Sequence, residues 1–280
     1  MAGVGRRPIH LLRWRARFGF SRAAQSAAAK QRQANAREKL DHVTFFGRSR
    51  TYPRPAMCER YVIADQAAVE RQFEVVRAWW KFSPSFNVSA QRNIPVIRMH
   101  QGDTEGVMMR WGLIPAWAEG DPAKASATHA ASEGLERSRL FGAAWACGQR
   151  CILPASGFYG WQLTPNRQRR PHYVRLVNRS VFGFAGLWDR SAGEEEDSII
   201  DGCALITVAA NPLVAEVNNT FGRMPAILRS EDHERWLSAS PGEAAALLRT
   251  YSEERMVTHA VSARVNSPLN DDGELILPVR

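Results

Sequence analysis

The residue pair with the most chemistry in this chain is Met57-Cys58, which opens the run Met57-Cys58-Glu59-Arg60-Tyr61. That run reads like the beginning of a protein. If synthesis starts at Met57 and the methionine is removed, Cys58 carries a free α-amine beside its thiol. Such a pair condenses with an aldehyde, first as an imine and then as a closed five-membered thiazolidine. An α-amine titrates near pH ~8 and a thiol near ~8.5, so both nucleophilic forms are accessible at neutral pH. The plain alternative is a buried cysteine beside an unremarkable methionine.

The charge distribution breaks at the same place. Residues 1–56 hold thirteen Lys and Arg against two acids, Glu38 and Asp41, whereas the whole chain carries a net +9. The basic excess therefore belongs to the first 56 residues, and from residue 57 onward the chain is close to neutral. An Arg-rich, acid-poor stretch such as Arg13 to Arg37 suits a nucleic-acid arm or a transit peptide. It equally suits a start codon assigned upstream of the true one. The expected organisation is a basic extension or mis-assigned start over 1–56 and one domain over 57–280, long enough to bury its own core.

Four cysteines (Cys58, Cys147, Cys151, Cys203) in 280 residues do not make a disulfide framework. Cys147 and Cys151 have no second Cys/His pair at ligand spacing, so no metal site is expected. A reducing, cytoplasmic setting follows, and no apolar run reaches the ~20 residues that span a bilayer. A monomer is the default expectation. Nine tryptophans suit a core, and also a surface on which single-stranded nucleic acid stacks.

The elements that would position these residues alternate short strands with a few helices. Asp65 can cap a helix over 66–79, with Val69, Phe73, Val76 and Trp80 on one face. Residues 94–99 and 107–113 read as strands flanking the turn Gln101-Gly102-Asp103. Residues 118–134 read as a long loop, followed by a helix over 135–146. Further strands are expected near 150–153, 173–176, 181–185 and 204–209, with the acidic segment 194–197 a solvated loop. Two helices, near 231–237 and 241–250, precede a last strand around 256–262. The pattern is α+β with a mixed or antiparallel sheet and flanking helices.

From Met57 to about residue 270 the chain resembles the SOS-response-associated peptidase (SRAP) family of abasic-site processing proteins. The matching pieces include Met57-Cys58-Glu59-Arg60-Tyr61, Phe86-Asn87-Val88 and Met109-Arg110-Trp111-Gly112-Leu113-Ile114-Pro115. They continue with Arg150-Cys151-Ile152-Leu153-Pro154-Ala155-Ser156-Gly157-Phe158-Tyr159, Gly183-Phe184-Ala185-Gly186-Leu187-Trp188 and Arg223-Met224-Pro225. The resemblance implies an N-terminal cysteine that captures the ring-opened aldehyde of an abasic site in single-stranded DNA as a thiazolidine. No cofactor is implied. It makes Cys58 the reacting residue and Asn87 the side chain that orients it or the sugar. It implies a glutamate in G-F-Y-E-W for proton transfer, a histidine upstream of R-M-P, and an N-A-R-x-E-T motif on the DNA backbone.

The departures fall on that chemistry. Gly160 replaces the glutamate in Gly157-Phe158-Tyr159-Gly160-Trp161, and Asn218 or Phe221 replaces the histidine. His129-Ala130-Ala131-Ser132-Glu133-Gly134 stands for N-A-R-x-E-T, so His129 and Ala131 take the places of the asparagine and arginine. His129 is titratable and could move protons, although drift at a released position explains it as simply. Arg60, Arg110 and Arg223 are expected to form a local basic groove, with Trp111 and Trp161 as stacking platforms. Three functions follow: a slow covalent trap for abasic sites, a degenerate paralogue that binds DNA or a protein without chemistry, and a cysteine peptidase. The last is disfavoured because no histidine stands at a matching position to activate the thiol.

Overall fold

The computed structural model describes residues 60–122, 124–193 and 198–279. Met57, Cys58, Glu59, the basic stretch 1–56 and the acidic segment 194–197 lie outside the described residues. The strands are β1 (Arg60–Ile63), β2 (Arg77–Ala78), β3 (Ser85–Ser89), β4 (Asn93–His100), β5 (Asp103–Trp111), β6 (His129–Ala131) and β7 (Arg150–Ala155). They continue with β8 (Gly157–Leu163), β9 (Arg169–Leu176), β10 (Phe182–Ala192), β11 (Ile199–Ala209), β12 (Arg223–Pro225), β13 (Ile227–Leu228) and β14 (Met256–Ala260). Five short helices flank them: α1 (Gln66–Phe73), α2 (Gly142–Ala146), α3 (Pro212–Val217), α4 (His233–Ser238) and α5 (Pro241–Ala245).

Two sheets organise the domain. One has the order β14-β9-β8-β1-β3, all antiparallel. The other runs β12-β11-β10-β7-β4-β5-β2, with β6 beside β11 and β13 beside β10. A parallel pairing of β5 with β11, Trp111 opposite Cys203, closes β11-β10-β7-β4-β5 into a ring. The expected α+β fold with a mixed sheet is the fold observed. Tyr61 and Phe158 from the first sheet meet Trp111 and Phe184 from the second edge to face, at centroid separations of 5.3–6.0 Å. Burying such rings is the main stabilising term at this junction.

Several elements follow their sequence signals closely. Gln101 and Gly102 both have positive φ (52° and 86°), as a two-residue hairpin turn requires, and they join β4 to β5 in the expected place. Asp65 caps α1 by accepting from the Ala68 amide, and Ser240 with Glu243 forms a capping box on α5.

Others differ for identifiable reasons. The helix expected over 66–79 stops at Phe73, because Glu74 turns into the left-handed region and closes back on the Glu70 carbonyl. The Val76 and Trp79 amides then donate to the Thr104 and Gly106 carbonyls, so 77–78 becomes an edge strand and Val76 and Trp79 face outward. The helix expected over 135–146 is a 3₁₀ turn at 135–137 followed by the short α2. Within the loop expected over 118–134, residues 129–131 form β6, parallel to β11. The segment 157–163, in which two glycines mask the strand pattern, forms the central strand β8.

Candidate functional site

The sequence-derived site residues divide between the two faces of the first sheet. Alternation along β1 puts Arg60 and Val62 on one face and Tyr61 and Ile63 on the other. Along β8, Tyr159 and Trp161 share the first face, and Phe158 and Gly160 share the second.

On the first face, the C-terminal segment 263–277 is held down by Asn87 and Arg60. Asn87 is fully buried, and its Nδ2 donates to the Val265, Ser267 and Asn270 carbonyls at 3.2, 2.9 and 2.7 Å. Its Oδ1 accepts from Arg60 at 3.0 Å, and Arg60 also donates to the Asn266 carbonyl. The amide has two N–H donors and meets three carbonyls, so every polar atom of Asn87 is engaged within the fold. The expectation that Asn87 orients a reacting group therefore gives way to a structural role. Trp161 stays partly exposed beside this segment, its indole N–H donating to Asn266 Oδ1 at 2.8 Å.

The second face carries the positions where titratable residues were expected. A Cβ on Gly160 would point at the end of α3, 2.8 Å from the Val217 carbonyl oxygen and 3.4 Å from the Asn218 Cβ. Asn218 is buried, caps α3 and donates through Nδ2 to the Arg223 carbonyl at 3.3 Å. The two replaced positions are thus neighbours in space, as a shared proton-transfer site would require. Phe221, the other counterpart considered for the histidine, bonds back to the Asn218 carbonyl through its amide.

Arg223 leaves Asn218 along β12 and is clamped. Its guanidinium donates to Thr207 Oγ1 and the Thr207 carbonyl at 3.0 and 2.6 Å, and to both carboxylate oxygens of Glu133 at 3.3 and 2.7 Å. The Arg223 hydrogen bond holds the Glu133 carboxyl below the usual carboxylate range. β6 runs alongside, placing His129, Ala130 and Ala131 opposite Leu205, Ile206 and Thr207. Ala131 is exposed and offers no donor, while His129 Nδ1 meets Thr128 Oγ1 at 2.9 Å and its ring edges onto Trp111.

Two expectations need correction on geometric grounds. Trp111 is 0 % exposed and donates its indole N–H to the Thr128 carbonyl at 3.0 Å, so it is a core ring and not a stacking platform. The three arginines do not form one groove. Arg110 lies opposite Gly202 and Arg223 opposite Ala209, which at ~3.3 Å per residue separates them by roughly 23 Å along β11. Arg110 is instead turned back onto the Gly112 carbonyl at 2.7 Å.

Sequence reasoning also missed a residue on this face. His172 on β9 lies directly opposite Gly160 on β8. The symmetric register about the turn at 164–168, with Leu163 opposite Arg169, was the available signal. Among the described residues, no group of three or more His, Cys, Asp or Glu side chains is placed to hold a metal ion. Nor is any helix among them long and apolar enough to cross a membrane.

Comparison with known proteins gives a consistent result. The model of the family described as SOS response associated peptidase (SRAP) matches residues 57–268. Abasic site processing protein YoqW of Bacillus subtilis (strain 168) is 32% identical over 199 residues, covering 70% of this chain and 87% of that protein. Abasic site processing protein HMCES of Pongo abelii is 29% identical over 239 residues, covering 71% and 66% respectively. A solved structure of a protein from Bacteroides thetaiotaomicron shares the fold, with a TM-score of 0.69 at 23% identity over 80% of this chain and 100% of that one.

Proposed function

The chain belongs to the SOS response associated peptidase family, and on that premise we propose that it binds single-stranded DNA and captures abasic sites covalently through Cys58. The observation that carries the reading is the family match beginning at Met57, so that Cys58 stands second in the matched region. The relatives named as abasic site processing proteins support the substrate class. With Met57 removed, the Cys58 α-amine attacks the open-chain aldehyde, water leaves, and the thiol closes a thiazolidine. Arg60, two residues on, begins β1 in the middle of the first sheet. Covalent geometry keeps two such residues within about 7 Å of each other, which ties the reacting cysteine to that region.

Protons must move twice in this sequence, and neither Gly160 nor Asn218 can move them. Loss of a general acid/base slows a step by on the order of 10²–10⁴, so adduct formation is expected to be slow. DNA contacts fall to Trp161, Arg60 and Arg223, whose charges are partly committed inside the protein.

A second reading is a family member that binds DNA without chemistry. The tight packing of Gly160 on α3 favours it, because the space for a catalytic carboxylate is filled. Protein begun at Met57, incubated with single-stranded DNA bearing an abasic site, separates the two. A denaturation-stable adduct that is absent in Cys58→Ala is the expected result, and retention of DNA without adduct sinks the covalent reading. Mass spectrometry of the purified N-terminus establishes whether Cys58 bears a free amine.

A further inference from the structure

The second face of the first sheet keeps one titratable group where proton transfer is needed. His172 on β9 is the cross-strand partner of Gly160 on β8. Directly opposed residues in an antiparallel pair project from the same face, with Cβ atoms about 4.5–5.5 Å apart. The imidazole of His172 thus starts within one side-chain width of the place where a residue-160 carboxylate would start, on the side facing α3. Both of its ring nitrogens are sealed from solvent and have no hydrogen-bond partner among the described residues. A buried imidazole left in that condition is costly for stability alone, and a polar atom of a bound sugar or a reacting nitrogen would satisfy it.

We propose that His172 is the proton-transfer group of this site, standing in from the neighbouring strand for the side chains that Gly160 and Asn218 lack. The inference rests on the covalent reading above. The proton balance closes on one imidazole. The Cys58 amine adds to the aldehyde carbon, and its proton passes to the oxygen to give a carbinolamine. The His172 imidazolium protonates the departing hydroxyl, water leaves, and the nitrogen lone pair forms the protonated imine. The neutral imidazole then takes the thiol proton, the thiolate attacks the imine carbon, and His172 is an imidazolium again. The sum is amine, thiol and aldehyde giving thiazolidine and water, with no oxidant or reductant.

The charges around His172 set the pH at which this works. α3 packs on β8 and β9 and brings Glu216, whose carboxylate favours the imidazolium. Arg170 on its own strand and His259 on β14 oppose it, and burial is the largest effect, so the ring titrates below its ordinary value of ~6.5. β8 places glycine opposite and adds no charge there.

The test uses protein begun at Met57, abasic single-stranded DNA and adduct formation measured under single-turnover conditions across pH. The wild type is expected to show a rate limb on the acid side of pH ~6.5. His172→Gln should slow the reaction by on the order of 10²-fold and lose that limb. Glu216 is exposed, so Glu216→Gln should fold normally and move the limb to lower pH. An unchanged profile in both variants overturns the role of His172 while leaving covalent capture standing. A wild type that forms no adduct at any pH overturns both.

Discussion

Gly160 and Asn218 are packed so closely that a Cβ on the glycine would lie 3.4 Å from the asparagine Cβ and 2.8 Å from the Val217 carbonyl oxygen. Backbone oxygen does not rotate out of the way, so any side chain at 160 must displace the end of α3. Gly160→Ala should therefore destabilise the protein by about 1–3 kcal/mol, as overpacking does. The intrinsic gain of replacing a strand glycine, roughly 0.5–1 kcal/mol, offsets this only in part. Chemical denaturation would check it, and an alanine variant more stable than the wild type would show that α3 yields freely. In that case Gly160→Glu should also be tolerated and should accelerate adduct formation.

The fate of Asn87 shows how far the sequence could be read. Phe86-Asn87-Val88 is legible as a family segment, but its partners Val265, Ser267 and Asn270 lie about 180 residues away and carry no pattern. The hairpin at Gln101-Gly102 and the caps at Asp65 and Ser240 are legible because their signals are local. The helix beyond Phe73 is misread because its periodic residues, Val76 among them, are taken by pairing with β5. Trp111 is misread because an aromatic residue on a strand looks alike whether its face is buried or bare. His172 is invisible until the register across the 164–168 turn places it beside Gly160.

Asn87→Ala should leave three carbonyls without donors and Arg60 without its amide partner. At about 1 kcal/mol net per hydrogen bond, and more for groups left buried, the expected loss is about 2–4 kcal/mol. Hydrogen exchange should show the loss concentrated in the 263–277 segment. A variant with wild-type stability and exchange but impaired adduct formation would instead return Asn87 to the chemistry.

The two tryptophans that sequence reasoning treated alike should respond oppositely. Trp111→Ala should destabilise by about 3–5 kcal/mol, as truncation of a buried aromatic does. Trp161→Ala should leave the fold largely intact and weaken single-stranded DNA binding by about 1–3 kcal/mol if a base stacks on it. Binding isotherms alongside melting curves separate the two. DNA affinity unaltered by Trp161→Ala would remove that ring from the interface.

The Glu133–Arg223 pair carries a pH signature that is independent of catalysis. Arg223 lowers the Glu133 pKa in the folded state, so the unfolded chain binds the proton more readily. The stabilisation is thus fully present above the ordinary carboxylate range near pH ~4.3 and is lost as pH falls through the depressed folded value. Glu133 is 64% exposed, so solvent screening limits the pair to about 0–1 kcal/mol. Glu133→Gln should accordingly lower stability by that amount at pH 7 and match the wild type in strong acid. The same substitution frees Arg223 for phosphate, so DNA affinity at low salt should rise and fall more steeply with added salt. Affinity and salt slope both unchanged would mean that Arg223 serves only to tie β12 to Thr207 and Glu133, with the DNA bound elsewhere.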